Sequence, residues 1–570
     1  MTMMQCKSSH ARRASLVLAL AVALGSATSP ARADERESLE SLRRTTLALI
    51  EALVERGLLT RQKADELIAQ ARAAATPAAP AAAVAAGAAA GVGAAANADT
   101  TVRVPYVPQV VKDQIRAEVK EEVLAQAKAE RWGVPNATAE WTDRIRIDGD
   151  IRVRYQHDHF ADGNPTPEEF VAASLSGTTR AADFAAANAQ GVPTANTTED
   201  RERLLLRARL NVDAKVSDMV AVGLRLSTGN TNDRVSTNQS LGQNFNKYQL
   251  LVDRAFIRLD PAEWVTLQAG RIPNPWFNTD MVWSENLNFE GIAGTFKLPA
   301  RPWRTLDPFL TLGYFPIRED SPPRPKRALY GAQAGLQWEV SPTTRVKFGF
   351  AQYAYKNLAG QVDGDYDPVT GPGPSYGQFE YGAGLRQRGN TLFLTNNPLE
   401  IAAGLTPDKA LWGLASRMWP QTLTAAAEFG AFAPVIMRLS GEYVKNIKFD
   451  RAEIAQRTGF TITDGSSTGG QLRAVIGSAD LNFRGNWQAA LTWRRVGSDA
   501  VLDAFTDSEM GLGGTNIKGY LFSLTYAIDR QATLGVRYQA GNTIDSPTVR
   551  PSVKDRFGVD LLQVDLNARF

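Results

Sequence analysis

The last stretch of the chain, 557–570, reads FGVDLLQVDLNARF. Leu562, Val564, Leu566, Ala568 and Phe570 fall on one side of an extended strand, and Gln563, Asp565, Asn567 and Arg569 fall on the other. A period of two describes a sheet with one apolar and one polar face. The same alternation recurs from about residue 144: Ile145, Ile147, Ile151, Val153 and Tyr155 oppose Arg144, Arg146, Asp148, Asp150, Arg152 and Arg154. Leu204, Leu206, Ala208, Leu210 and Val212 then oppose Arg203, Arg207, Arg209 and Asn211. Val346, Phe348 and Phe350 against Arg345 and Lys347 continue it, as do Met437, Leu439 and Tyr443 against Arg438, Ser440 and Glu442. A water-soluble sheet protein of this size would carry near-continuous apolar core strands. Here each apolar face needs a cover, and the sequence supplies no helices after residue 140 to provide one. Lipid is the simplest partner, and a sheet in lipid must close, because an open edge cannot sit in hydrocarbon. The expected fold is all-β, a closed antiparallel transmembrane β-barrel.

The first residues set the compartment. Arg12 and Arg13 precede an apolar run over 14–25, and Ala31, Arg32 and Ala33 form a small-x-small cleavage site. Residues 1–33 therefore read as a secretory signal peptide, the run being far short of the roughly 20 residues a spanning helix needs. Lys7, Arg12, Arg13 and Arg32 leave with it, which brings 63 basic and 60 acidic residues close to balance. That argues against a nucleic-acid partner held by positive excess. The one cysteine, Cys6, lies in the same peptide, so the mature chain is expected to carry no disulfide and no thiolate metal site.

Residues 34–72 read as helical, with Leu39, Leu42, Leu49 and Leu53 in one stripe, Gly57 placed to end a helix and Thr60 to cap another. A coiled-coil contact and a hairpin packing its own two halves are both open. Residues 73–108 are an Ala/Pro/Gly-rich linker with too little side-chain area for a core. A charged helix with Val111, Ile115, Val119 and Val123 along one side, and its connector, occupy 109–140; the barrel is expected over 141–570.

Within the barrel, brief turns near residues 215, 260–263, 341–343, 484–486 and 529–531 alternate with long polar segments at 158–199, 229–247, 272–289, 356–378, 448–470, 498–514 and 542–556. Short periplasmic turns and long outer loops are the asymmetry of an outer-membrane barrel. Strand starts near 144, 201, 218, 248, 264, 290, 307, 327, 344, 424, 435, 471, 487, 515, 532 and 557 give sixteen crossings, or eighteen if 381–385 and 411–417 also cross.

Four stretches then carry a resemblance: the signal, LIEALVERGLLTRQKADEL at 49–67, RIRIDGDIRVRYQ at 144–156, and GRIPNPWFNTDMVWSENLNFEG at 270–291. With them the chain resembles the putative porins of Gram-negative outer membranes over most of 35–570. The resemblance implies a pore-forming barrel behind a periplasmic helical segment, and it gives no substrate.

A barrel of this size has a lumen wide enough for water unless loops fold inward. Its wall is expected to carry Arg146, Arg154, Arg203, Arg207, Arg209, Arg254, Arg258, Arg345, Arg438, Arg494 and Arg537, with Asp148, Asp150, Glu442 and Asp565 on the same face. Rings of arginine favour anions, so a weak anion preference is expected unless the acids cancel it. A constriction is sought in the stiff, charged segment holding Arg318, Glu319, Asp320, Arg324, Lys326 and Arg327, or in the large 356–423 region. Asn274, Trp276, Asn278, Asp280 and Trp283 read as loop packing in preference to a solute-contacting patch.

No nucleophile elbow or phosphate-cradling loop occurs. His157 and His159 share one side of a strand end, with no third ligand near in sequence, so they read as surface residues. No catalytic residue, cofactor or metal site is expected. The reading is a passive outer-membrane diffusion channel whose partners are membrane lipid, ions and small hydrophilic solutes; a homotrimer and cell-wall contact by the N-terminal helices are open. A non-conducting structural or adhesive anchor is the alternative, and a soluble periplasmic binding module the third.

Overall fold

The computed structural model describes residues 144–174, 177–180, 182–184, 195–298, 305–322, 324–364, 366–367, 369–397, 410–547 and 556–570. The expected signal peptide, helical segments and linker lie outside the described residues.

Among the described residues, sixteen strands form one wall. They are β1 (Ile145–Phe160), β2 (Arg201–Lys215), β3 (Val220–Ser227), β4 (Leu251–Ala262), β5 (Val265–Pro273), β6 (Asn288–Lys297), β7 (Leu306–Arg318) and β8 (Arg327–Ser341), followed by β9 (Thr344–Lys356), β10 (Pro420–Phe429), β11 (Val435–Asn446), β12 (Thr468–Ser478), β13 (Trp487–Val496), β14 (Ile517–Asp529), β15 (Ala532–Thr543) and β16 (Gly558–Arg569). Each pairs antiparallel with its sequence neighbours, and β1 also pairs with β16, placing Val153 opposite Leu566 and Tyr155 opposite Val564. The sheet is therefore closed and presents no open edge. β3 is short, and Gln239–Ser240 extends the sheet beside β2 where β3 stops.

The pleat sorts side chains as the sequence period requires. Ile147, Val252, Ile292, Leu423, Leu472, Leu491 and Tyr520 stand exposed on the outside, while Arg152, Arg154, Arg494 and Gln563 on the alternate positions are buried. A continuous apolar outer face is what a barrel shows to hydrocarbon.

The strand ends differ sharply. One end has tight connections, such as 342–343 and 530–531, and the other has long ones, including 161–200, 357–419 and 497–516. The eighteen-strand possibility is corrected here. Residues 381–385 form no strand, and Trp412–Leu414 is a three-residue strand pairing with Leu392–Leu394, which pairs in turn with Thr178–Thr179. Three residues cannot cross a membrane that takes about 9–11. All three of these side chains are buried, so the stretch packs within the long-loop end instead of alternating between lipid and lumen.

Candidate functional site

Two connections fold inward and meet. The first, 274–287, leaves β5 and returns at β6, yet its backbone is tied to strands farther round the wall. Gln333 on β8 bonds both backbone groups of Phe277, donating to the carbonyl at 2.7 Å and accepting from the N–H at 2.8 Å. Thr279 donates from its N–H (3.0 Å) and its hydroxyl (2.6 Å) to Glu442 on β11. Asp280 accepts from Gln471 on β12 at 2.7 Å and lies 2.5 Å from Arg494 on β13. A segment anchored at β5, β8 and β11–β13 must run across the lumen. Its shape is set locally: the Asn274 side chain accepts from the Trp276 N–H, and the Asn278 side chain donates to the carbonyls of Thr279 and Trp283.

The aromatic residues of this segment pack. Trp283 is 1% exposed and meets Tyr353 edge-on at 5.0 Å and Phe289 at 4.9 Å; Trp276 meets Tyr353 at 5.2 Å. The wall makes room with glycine, since a Cβ at Gly331 would lie 2.5 Å from the Trp276 ring. Such edge-to-face contacts add to the area each ring buries.

The second inward segment, 497–516, joins β13 to β14. Ser284 donates to the Phe505 carbonyl and Asp507 to the Asp280 carbonyl, so the two segments are bonded to each other. Asp507 accepts from Arg494 at 2.8 Å, and Glu509 accepts from Arg537 at 2.8 Å and from Arg154. Burial works against the charge of Glu509, but Arg537 and Arg154 outweigh it and hold the carboxyl well below the usual range. Asp280 is likewise lowered: burial opposes the charge and Arg494 prevails.

The wall candidates fall into groups. Arg154 holds Asp565 with two arms, at 2.6 and 2.8 Å. Arg207 and Arg209 share Asp150 at 2.8 and 2.7 Å, and Arg203 pairs with Asp158 at 2.6 Å. A bulge at Asp253 turns both that residue and Arg254 inward, so that Asp253 pairs with Arg225 and Arg254 donates to Asn288 at 2.7 Å. Arg152, Arg225, Asp253 and Asn288 join this belt without having been selected as wall residues from the sequence; the alternation of the first strand does place Arg152 on the polar face, and for Asp253 the bulge breaks the period that would have marked it. Arg146 with Asp148, Arg258 with Asp260, and Arg345 and Arg438 with Glu428 lie toward the short-turn end.

The segment singled out for a constriction spends its charge locally. Arg318 pairs with Asp320 at 2.8 Å and Lys326 with Glu319 at 2.8 Å. Arg324 donates to the carbonyl of Tyr376, and Arg327 to those of Gln378 and Glu380. These groups tie a hairpin to the adjacent long loop. The acids that reach the wall arginines, Asp280, Asp507 and Glu509, come from segments whose sequence looks like any polar loop; only the aromatic density of 276–289 hints at burial.

Polar space remains around the inward segments. One cavity of ≈ 700 Å³ is bordered by Gln156, Arg203, Asn238, Gln239, Ser508 and Glu509. Another, of ≈ 310 Å³, is bordered by Thr279, Asp280, Glu285, Thr424, Gln471 and Arg473. Ion pairs, amides and hydroxyls of this kind can order water and contact a hydrophilic solute.

No curated protein sequence matches the chain. Among solved structures it is similar to OprB of Pseudomonas putida at high pH, with 11% identity, 77% of this chain and 97% of that chain covered, and a TM-score of 0.40. It is also similar to Salmonella typhi OmpF in complex with daunomycin, with 10% identity, 75% and 97% covered, and a TM-score of 0.37. For the outer membrane channel DcaP of Acinetobacter baumannii the figures are 9%, 75%, 98% and 0.35. The chain matches the family model described as "Putative porin" over residues 43–570, a span that includes the whole wall and both inward segments, and it belongs to that family.

Proposed function

We propose that this outer-membrane barrel is a passive channel for ions and small hydrophilic solutes, with a weak preference for anions. The arginine belt carries the reading. Arg152 and Arg154 on β1, Arg207 and Arg209 on β2, Arg225 on β3 and Arg254 on β4 face three wall carboxylates, Asp150, Asp253 and Asp565, with Glu509 added from the loop. Six fixed cations against four anions leave a small positive excess on that arc. Arg207, Arg209 and Arg254 are only partly buried and still present N–H groups to a passing anion, the buried arginines add to the local potential, and confinement strengthens the attraction. The long-loop end faces outward and the short-turn end faces the periplasm, as in other outer-membrane barrels.

Reversal potential across a planar bilayer under a salt gradient tests this. Discrete steps with a mild anion preference that weakens as salt rises are expected, because screening shortens the reach of the fixed charges. Strong cation selectivity overturns the preference, and a purified barrel that never conducts moves the protein to the class of structural anchors.

A further inference from the structure

We infer that His157, His159 and Asp200 form a binding site for a divalent transition-metal ion on the outer rim of the barrel. The histidines are two apart on one strand, so the pleat puts both on the same face, and their rings stand nearly parallel with centroids 6.5 Å apart. Sequence proximity offers no third ligand, but folding does. Asp200 immediately precedes β2, and its Oδ2 lies 2.8 Å from Nδ1 of His159 and 3.8 Å from Nε2 of His157. The ligating atoms of all three side chains lie within 4.8 Å of one another.

Three further observations favour an ion over a plain surface cluster. Asp200 is already oriented: its Oδ1 accepts the Phe160 N–H at 3.0 Å, which aims Oδ2 at the imidazoles. A hydrogen bond of this kind to a ligating carboxylate fixes it for a metal. Nδ1 of His157 is shielded from solvent and makes no hydrogen bond, and the Glu202 carboxylate lies 3.6 Å from it. Glu202 sits directly opposite His157, and Asp560 directly opposite His159, so the site has extra negative charge on both flanking strands.

Two imidazoles and a carboxylate match the donor preference of zinc, copper, nickel or iron, not of magnesium or calcium, which take oxygen. Small side-chain rotations at this exposed rim bring the donors to the roughly 2.0–2.2 Å that zinc requires. Water completes the shell, and Glu202 lies at the other ring nitrogen of His157, where a carboxylate orients a ligating imidazole. A bound ion would pin the end of the 161–200 connection to β1.

The sequence makes the test clean, since the only other histidine is His10. Zinc chloride is titrated calorimetrically into the purified, untagged full-length protein in detergent, with magnesium chloride as the comparison. One saturable zinc equivalent, absent for magnesium, is expected. His157→Ala and His159→Ala each weaken it about tenfold or more, as does Asp200→Asn. A readout that needs no variant is modification of the histidines by diethylpyrocarbonate, which zinc slows at both positions. Absence of saturable zinc uptake, uptake unchanged in the variants, or equal labelling with and without zinc overturns the site.

Discussion

Arg154 and Asp565 are 411 positions apart in sequence and form a two-armed pair at 2.6 and 2.8 Å across the seam where the first and last strands close the barrel. They stand directly opposite each other in the β1–β16 register, so the pair reads out closure itself. Arg154 is fully buried and also reaches Glu509, so one guanidinium links the seam to the inward loop.

Removing one partner of that pair strands the other. In Arg154→Met, Glu509 keeps Arg537 at 2.8 Å, whereas Asp565 is left with Arg152 at 3.9 Å. Urea unfolding in detergent is expected to show a loss of about 3 kcal/mol or more, the usual cost of an uncompensated buried charge. Arg154→Met combined with Asp565→Leu is expected to cost less than the sum of the single changes, because the paired desolvation disappears with both charges.

Trp283 fixes the first inward segment by packing, at 1% exposure against Tyr353 and Phe289. Trp283→Ala should remove about 3–5 kcal/mol of loop packing. The wall strands pair with each other and not with this ring, so the barrel stays closed. The expected outcome is larger and noisier single-channel conductance with unchanged strand content by circular dichroism.

The two faces of a strand should answer oppositely to the same substitution. Leu524 is 43% exposed near the middle of β14, and its neighbour Thr525 points the other way, half-buried. Arginine at Leu524 should cost about 2–4 kcal/mol if it meets hydrocarbon near the bilayer midplane, and arginine at Thr525 much less. Reversible unfolding into liposomes measures both. Equal costs would mean that lipid does not lie where Leu524 points.

Much of the wall was legible in the residues themselves. Period-two alternation fixes which face each side chain takes, and the sixteen strand starts were readable because turn residues break the pattern in the right places. The stretch 411–417 misled because LWGLASR is apolar on both faces, the mark of burial within loops and not of a lipid-facing strand. The inward path of 274–287 and 497–516 was not legible. Their anchors, Gln333, Glu442, Arg494 and Arg154, sit on strands far away in sequence, and polar loops that project into water or fold into a lumen share one composition. For the same reason the third ligand beside His157 and His159 was hidden: Asp200 comes next to them only through the β1–β2 pairing.

The second inward segment carries a pH dependence centred on Asp503. Its carboxyl accepts from the Tyr381 hydroxyl at 2.5 Å and the Gln387 N–H at 3.1 Å, while its own N–H donates to Asn390. Burial pushes this carboxyl up to about 7, with Asp183 adding to the rise and the Tyr381 and Gln387 hydrogen bonds and Arg386 opposing it. Arg388 adds a further nearby positive charge. An unfolded aspartate titrates near 3.9, so between about 4 and 7 the folded state holds a proton that the unfolded state has lost. Stability from this group is therefore complete below the unfolded value and is lost as pH rises through about 7. Glu509 has the opposite sign: its lowered carboxyl contributes fully above the ordinary glutamate range and loses that contribution only as pH falls below it, so it is constant between pH 5 and 8. Hydrogen exchange of the 497–516 amides, corrected for intrinsic rates, should accordingly be faster at pH 8 than at pH 5, and channel opening more frequent. Asp503→Asn is expected to reduce that difference without abolishing it, since burial raises Asp499 and Asp507 in the same direction. A variant with the full wild-type pH dependence would place the titrating group elsewhere.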